Sequence, residues 1–231
     1  MATPAAPTGA VAESLLHRLE PAFRAAADPV QAARMSAYMR HQFSFLGLPA
    51  PARRTLARTV LEGTPHPAEA DCTALALACW ELPEREYQYF ATDYLARYAD
   101  RCSSAFLPTV RHLISTRSWW DTVDPLASHV VGRLVAADPG LRAEMDAWIR
   151  SDNLWIARTA LLHQLRHRGR TAADRLFTYC TLRSGDSDFF IRKAIGWALR
   201  EYGKTEPTAV RRYVEQSSLS PLSVREALKN L

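Results

Sequence analysis

A helical hydrophobic period that returns at a fixed spacing constrains this chain more than any other feature. Trp155-Ile-Ala-Arg158-Thr-Ala-Leu-Leu-His-Gln-Leu-Arg166 aligns with Phe189-Phe-Ile-Arg192-Lys-Ala-Ile-Gly-Trp-Ala-Leu-Arg200, and Val224-Arg225-Glu-Ala-Leu228 is a weaker echo. The in-register arginines recur after 34 and then 33 residues. That length suits one helical hairpin, and hairpins that each bury a single face must stack on their neighbours. The expectation is an all-α fold, an α-solenoid of HEAT-like helical hairpins whose inner helices line a concave face.

The remaining chain carries the same period. Leu15, Leu16, Leu19 and Phe23 make one stripe; Met35, Tyr38, Met39, Phe43 and Leu46 make a second; Leu56, Val60 and Leu61 lie on a third helix. Further helices are expected around 72–82, in a segment opened by Pro83, and near 104–116, 119–136, 140–150, 153–168, 171–183, 188–203, 207–216 and 221–230. No alternating strand pattern or Asn-Gly hairpin signal interrupts them. Residues 1–10 hold Ala, Pro and Thr with almost no large apolar side chain, so they are expected to be disordered. Residues 11–231 are expected to form a single domain, a length sufficient for one continuous core.

Charge is uneven along the chain. The formal net charge is +5, yet Arg142–Arg212 alone holds 14 Lys/Arg against 8 Asp/Glu, leaving the remainder close to neutral. A basic half fits an anionic partner such as nucleic acid, and it equally fits arginine-rich solvated helices. Cys72, Cys79, Cys102 and Cys180 show no CxxC spacing and no histidine at zinc-like distance, so free thiols are expected and no metal site. No secretory signal and no apolar run of membrane-spanning length is present. Gly-rich phosphate loops and Ser-His-Asp orders are likewise missing, so no cofactor is expected.

The stretch Ser118-Trp119-Trp120-Asp121-Thr122-Val123-Asp124-Pro125 concentrates aromatic and acidic side chains. Two adjacent tryptophans cannot both face one side of a helix, so at least one faces something other than the core. Ser118-x-x-Asp121 has the spacing of a capping box. Trp120 and Asp124 at i, i+4 would share a helix face. Pro125 admits a second arrangement, with Asp124 as an N-cap and Pro125 at the first helical position. Lys193, Trp197 and Arg200 fall at i, i+4 and i+7, an aromatic between two cations, as a phosphate-contacting face would require. Arg158, Arg192 and Arg225 occupy equivalent repeat positions and suit bridges between repeats.

These segments, with Tyr38-Met-Arg-His-Gln-Phe-Ser-Phe-Leu-Gly47, Leu82-Pro-Glu-Arg-Glu86 and Ser151-Asp-Asn-Leu-Trp-Ile-Ala-Arg158, occur in order. Together they resemble the AlkD family of bacterial DNA alkylation repair enzymes, HEAT-like-repeat DNA glycosylases, from about Leu15 to the end of the chain. The resemblance implies a monofunctional glycosylase that releases cationic alkylated purines, 3-methyladenine and 7-methylguanine, from duplex DNA on its concave face. It implies Asp124 as catalytic carboxylate, Trp120 and Trp197 flanking the lesion, and Arg158 as the cationic member of the site. Tyr38 would approach DNA near the lesion, and Arg192, Lys193 and Arg200 would contact its backbone. A cytoplasmic monomer without a membrane anchor follows from the same likeness. Pro125 and Arg192 depart from the family pattern. A non-catalytic DNA-binding module and a protein-binding scaffold are the alternative functions.

Overall fold

Side-chain caps and first-turn prolines start many of the helices. Asp28 accepts hydrogen bonds from the Val30 and Gln31 N–H groups and sets off α2 (Pro29–Tyr38), after α1 (Ala10–Ala25). The computed structural model describes residues 9–231, so the disorder expected over residues 1–10 lies outside the described residues up to residue 8, while Gly9 is the N-cap of α1 and Ala10 its first residue. The chain continues through α3 (Ala50–Leu61), α4 (Glu69–Glu81), α5 (Arg85–Tyr98) and α6 (Leu107–Ser115). Then come α7 (Trp120–Pro125), α8 (Gly132–Ala137), α9 (Arg142–Trp148) and α10 (Leu154–Leu162). Four more follow: α11 (Ala173–Leu182), α12 (Phe189–Gly203), α13 (Pro207–Gln216) and α14 (Pro221–Ala227). Among the described residues the fold is all-α, as expected, with an isolated parallel bridge between Ser44 and Glu84.

The chain divides into two compact units, residues 1–109 and 110–231, the boundary falling within α6. In the first unit, Leu15, Leu19 and Phe23 of α1 are fully buried with Cys72, Leu75 and Cys79 of α4. Phe23 stacks on Tyr87 at 5.7 Å and meets Phe90 edge-on at 6.1 Å, which ties α5 into the same core. In the second unit, Asn153 caps α10, Asp188 caps α12 and Ser220 caps α14 by accepting N–H groups of their own first turns. Those three helices carry the repeat, and α12 packs against both α10 and α14. Gly196 makes the second contact possible. A Cβ there would lie 2.4 Å from the Glu226 Cβ and 2.8 Å from the Ser223 carbonyl oxygen.

Three expectations need correction. The stripe Met35–Leu46 is not one helix: α2 ends at Tyr38, and Arg40 and His41 take positive φ of 55° and 56°. The reason lies 40 residues on. The buried Glu86 carboxylate accepts the N–H groups of Leu46, Gly47 and Leu48 at 2.9–3.0 Å, satisfying those donors outside any helix. Gly47 is obligatory in this turn, since φ is +91° and a Cβ would meet the Asp28 carbonyl oxygen at 2.0 Å. Second, Pro83 does not open α5, which begins at Arg85. Third, the helix expected over 153–168 stops at Leu162, and the chain turns at Arg168, whose φ is 53°.

Candidate active site

The stretch at Trp119–Pro125 folds as a short helix with Trp119 at its N-cap. Ser118 does not cap it: its hydroxyl donates to the Ile114 carbonyl at 2.6 Å, closing α6 instead. Trp119 holds the N-cap position with extended backbone and no side-chain cap. Asp124 lies inside α7, and Pro125 continues the helix with φ −67° and ψ −36°. Of the two arrangements open to Asp124, the chain takes the helical one. The missing N–H of Pro125 weakens the ladder, and the next residues, Leu126–Val131, widen into a π-helical turn. The Ser128 hydroxyl donates to the Asp124 carbonyl at 2.9 Å across that turn.

Asp124 and Arg158 meet side-on. Arg158 Nε donates to Asp124 Oδ1 at 2.7 Å and Nη2 to Oδ2 at 2.8 Å, a bidentate pair. Arg158 is 4% exposed and Asp124 8%, so both are nearly withdrawn from water. The third guanidinium arm donates to the Phe190 carbonyl in the first turn of α12. Arg158 thus joins α7, α10 and α12, the bridging role the repeat suggests. Arg225, at the equivalent position, is exposed. Burial pushes the Asp124 carboxyl above the usual carboxylate range, while the Arg158 hydrogen bonds and charge pull it back.

The aromatic residues separate into two groups. Trp119, Trp155 and Phe190 pack on one another with ring centres 5.0–5.6 Å apart. Trp120 and Trp197 are half-buried and make no ring contact among the described residues. Trp120 precedes Asp124 by four residues in α7, one turn away on the same face. Trp197 projects from α12, the helix whose first-turn carbonyl receives Arg158.

Other candidates are partly engaged. Lys193 Nζ and Arg200 Nη1 both contact the Glu226 carboxylate of α14, at 2.9 and 3.2 Å. That pairing, led by the Lys193 hydrogen bond, holds the Glu226 carboxyl below its usual range. Arg192 Nε donates to the Asp186 carbonyl at 2.7 Å in the α11–α12 connection. Tyr38 ends α2 in the first unit and is 73% exposed. Glu226 and Glu86 are not singled out by the sequence: Glu226 is marked only by lying about one repeat beyond Lys193, and Glu86 only by its place in a segment that carries the family likeness.

Among the described residues no group of three or more His, Cys, Asp or Glu is disposed to hold a metal ion, and no helix is long and apolar enough to cross a membrane. All four cysteines are free, three buried and Cys102 half-buried.

No curated protein shows significant sequence similarity to the chain. Among solved structures it is similar to a predicted DNA alkylation repair enzyme from Enterococcus faecalis, with 35% identity and a TM-score of 0.82. The match covers 89% of this chain and 96% of that one. A protein of Streptococcus mutans, smu.31, shares the fold at 17% identity and a TM-score of 0.59, over 87% of this chain and 97% of that one. Residues 19–231 match the family described as DNA alkylation repair enzyme, nearly the whole described chain, and the chain belongs to that family.

Proposed function

We propose that the chain is a monofunctional DNA glycosylase that removes cationic alkylated purines, 3-methyladenine or 7-methylguanine, from duplex DNA. One observation carries the reading: a buried carboxylate held rigidly by Arg158 shares a helix face with Trp120, a tryptophan lacking any aromatic partner. Membership of the alkylation repair family supports DNA as the partner. An alkylated purine is already a cationic leaving group and needs no strong acid to depart. As the bond between C1′ and the purine breaks, positive charge grows on the deoxyribose. Asp124 stabilises that charge and orients the water that adds to C1′; the free base leaves with the bonding electrons. Trp120 and Trp197 contribute about 1–2 kcal/mol of cation–π attraction each in a desolvated site. Each ~1.4 kcal/mol is a factor of ten in rate, so the carboxylate is needed as well.

Strand cleavage through a Schiff base is not proposed, because no lysine lies beside Asp124 in the sequence; Lys193, Lys204 and Lys229 all fall in or after α12. Release of free base from a duplex holding one 7-methylguanine tests the proposal. Wild-type protein releases it without nicking the strand, and Asp124→Asn is at least tenfold slower while duplex binding stays within about twofold. A second reading, a non-catalytic DNA-binding module, is favoured by the same ion pair, since Asp124 makes a bridge between helices even without a substrate. Undiminished release in Asp124→Asn, or none in wild type, would transfer support to it.

A further inference from the structure

Just past the end of α10, the second unit contains a cavity of ≈ 150 Å³. That is about the volume of five liquid waters. Its walls come from the end of α8, the start of α9 and the turn from α10 into α11. Three arginines, Arg142, Arg170 and Arg175, are among the residues that line it. Among the described residues, the one carboxylate in contact with these arginines is Asp146. It is already occupied by Arg175 at 3.1 Å and the Tyr179 hydroxyl at 2.7 Å. Arg142 and Arg170 have no ion-pair partner among the described residues.

Polar groups inside the cavity are poised to donate. Arg175 Nε is buried and has no acceptor. Gln164 is 7% exposed, and its Oε1 accepts from the Ala172 N–H at 2.8 Å, which fixes the amide in the cavity wall. The two histidines of the wall do not oppose an anion, because neither offers a negative charge. The His163 Nδ1–H donates to the Ala160 carbonyl, and burial brings the ring down to about 4. His167 donates to the Gly132 carbonyl and is held low by burial and by the nearby Arg170 and Arg142 charges.

We infer that this cavity binds a phosphate dianion, either the inorganic ion or a terminal phosphoryl group on a nucleic acid strand. Three cations facing one engaged carboxylate match a doubly charged tetrahedral oxyanion, and guanidinium groups recognise its oxygens in pairs. The small volume suits one such group rather than a run of backbone. This site is separate from Asp124 and does not depend on the reaction there.

The test is calorimetric titration of inorganic phosphate into the intact protein, against sodium chloride at matched ionic strength. One saturable site is expected, with at least a tenfold loss of affinity in Arg142→Gln/Arg170→Gln. Both side chains are exposed, so the variant is expected to fold, and Arg211→Gln/Arg212→Gln, with the same charge change elsewhere, should stay within twofold. Heats indistinguishable from chloride, or equal losses in the two double variants, would overturn the inference. Once binding is seen, displacement of phosphate by a 5′-phosphorylated oligonucleotide, but not by its 5′-hydroxyl twin, assigns the site to strand ends. Displacement by neither assigns it to the free ion.

Discussion

Asp124 and Arg158 show why a single buried pair must be judged by what happens when it is broken. Forming it removes two charges from water, and the bidentate geometry with a third bond to the Phe190 carbonyl offsets that cost. Arg158→Met would leave the Asp124 carboxylate buried and unpaired. The expected loss is about 3–5 kcal/mol, read as a lower urea midpoint, and Asp124→Leu in the same background should recover most of it. The pair also sets a pH dependence. Burial raises the Asp124 carboxyl in the folded protein, and in the proposed reaction protonation would remove the charge assigned to stabilising the sugar cation. The acid limb of kcat/KM for base release is therefore expected above the ordinary aspartate value of about 3.9, and it should disappear in Asp124→Asn. A limb at or below that value would mean that Arg158 outweighs burial.

At the scale of helices, legibility followed the range of the controlling interaction. The repeat helices were readable because their caps and apolar stripes are local: Asn153, Asp188 and Ser220 each cap the turn that follows them. The end of α2 was not, because Glu86, 40 residues away in sequence, decides where the Leu46–Leu48 donors go. The π-helical turn after Pro125 and the transfer of Ser118 to α6 have the same character, since each depends on which carbonyl a donor reaches in the folded chain. Asp124 is ambiguous in the sequence for that reason too, since its partner Arg158 lies 34 residues on, in α10. The contact between α12 and α14 is a case where composition hinted at structure, because a glycine inside an apolar helix often marks a close approach. Gly196→Ala is expected to destabilise the second unit by about 1–3 kcal/mol in urea unfolding, since its Cβ would displace Glu226 or the Ser223 backbone. An unchanged midpoint would show that α14 shifts without cost.

For the whole molecule, the charge count of +5 described the balance without showing how it is distributed among partners. The Lys193/Arg200 face, which the sequence presents as a phosphate-contacting face, is shared with Glu226 from the following repeat. These bridges are partly solvent-exposed and each is weak, so phosphate oxygens can compete for both cations. If the face binds DNA, neutralising each phosphate releases condensed counterions, and log K falls with log salt by about 0.9 per contact. Lys193→Gln and Arg200→Gln should each weaken duplex binding uniformly across sequences and flatten that slope by about 1. Glu226→Gln should act in the opposite direction: with the carboxylate gone, both cations are available to the backbone, and affinity at low salt rises. Binding of a fluorescent duplex measured from 50 to 200 mM salt distinguishes the cases. Slopes unchanged in all three variants would remove this face from the DNA interface and leave Glu226 as a tie between α12 and α14.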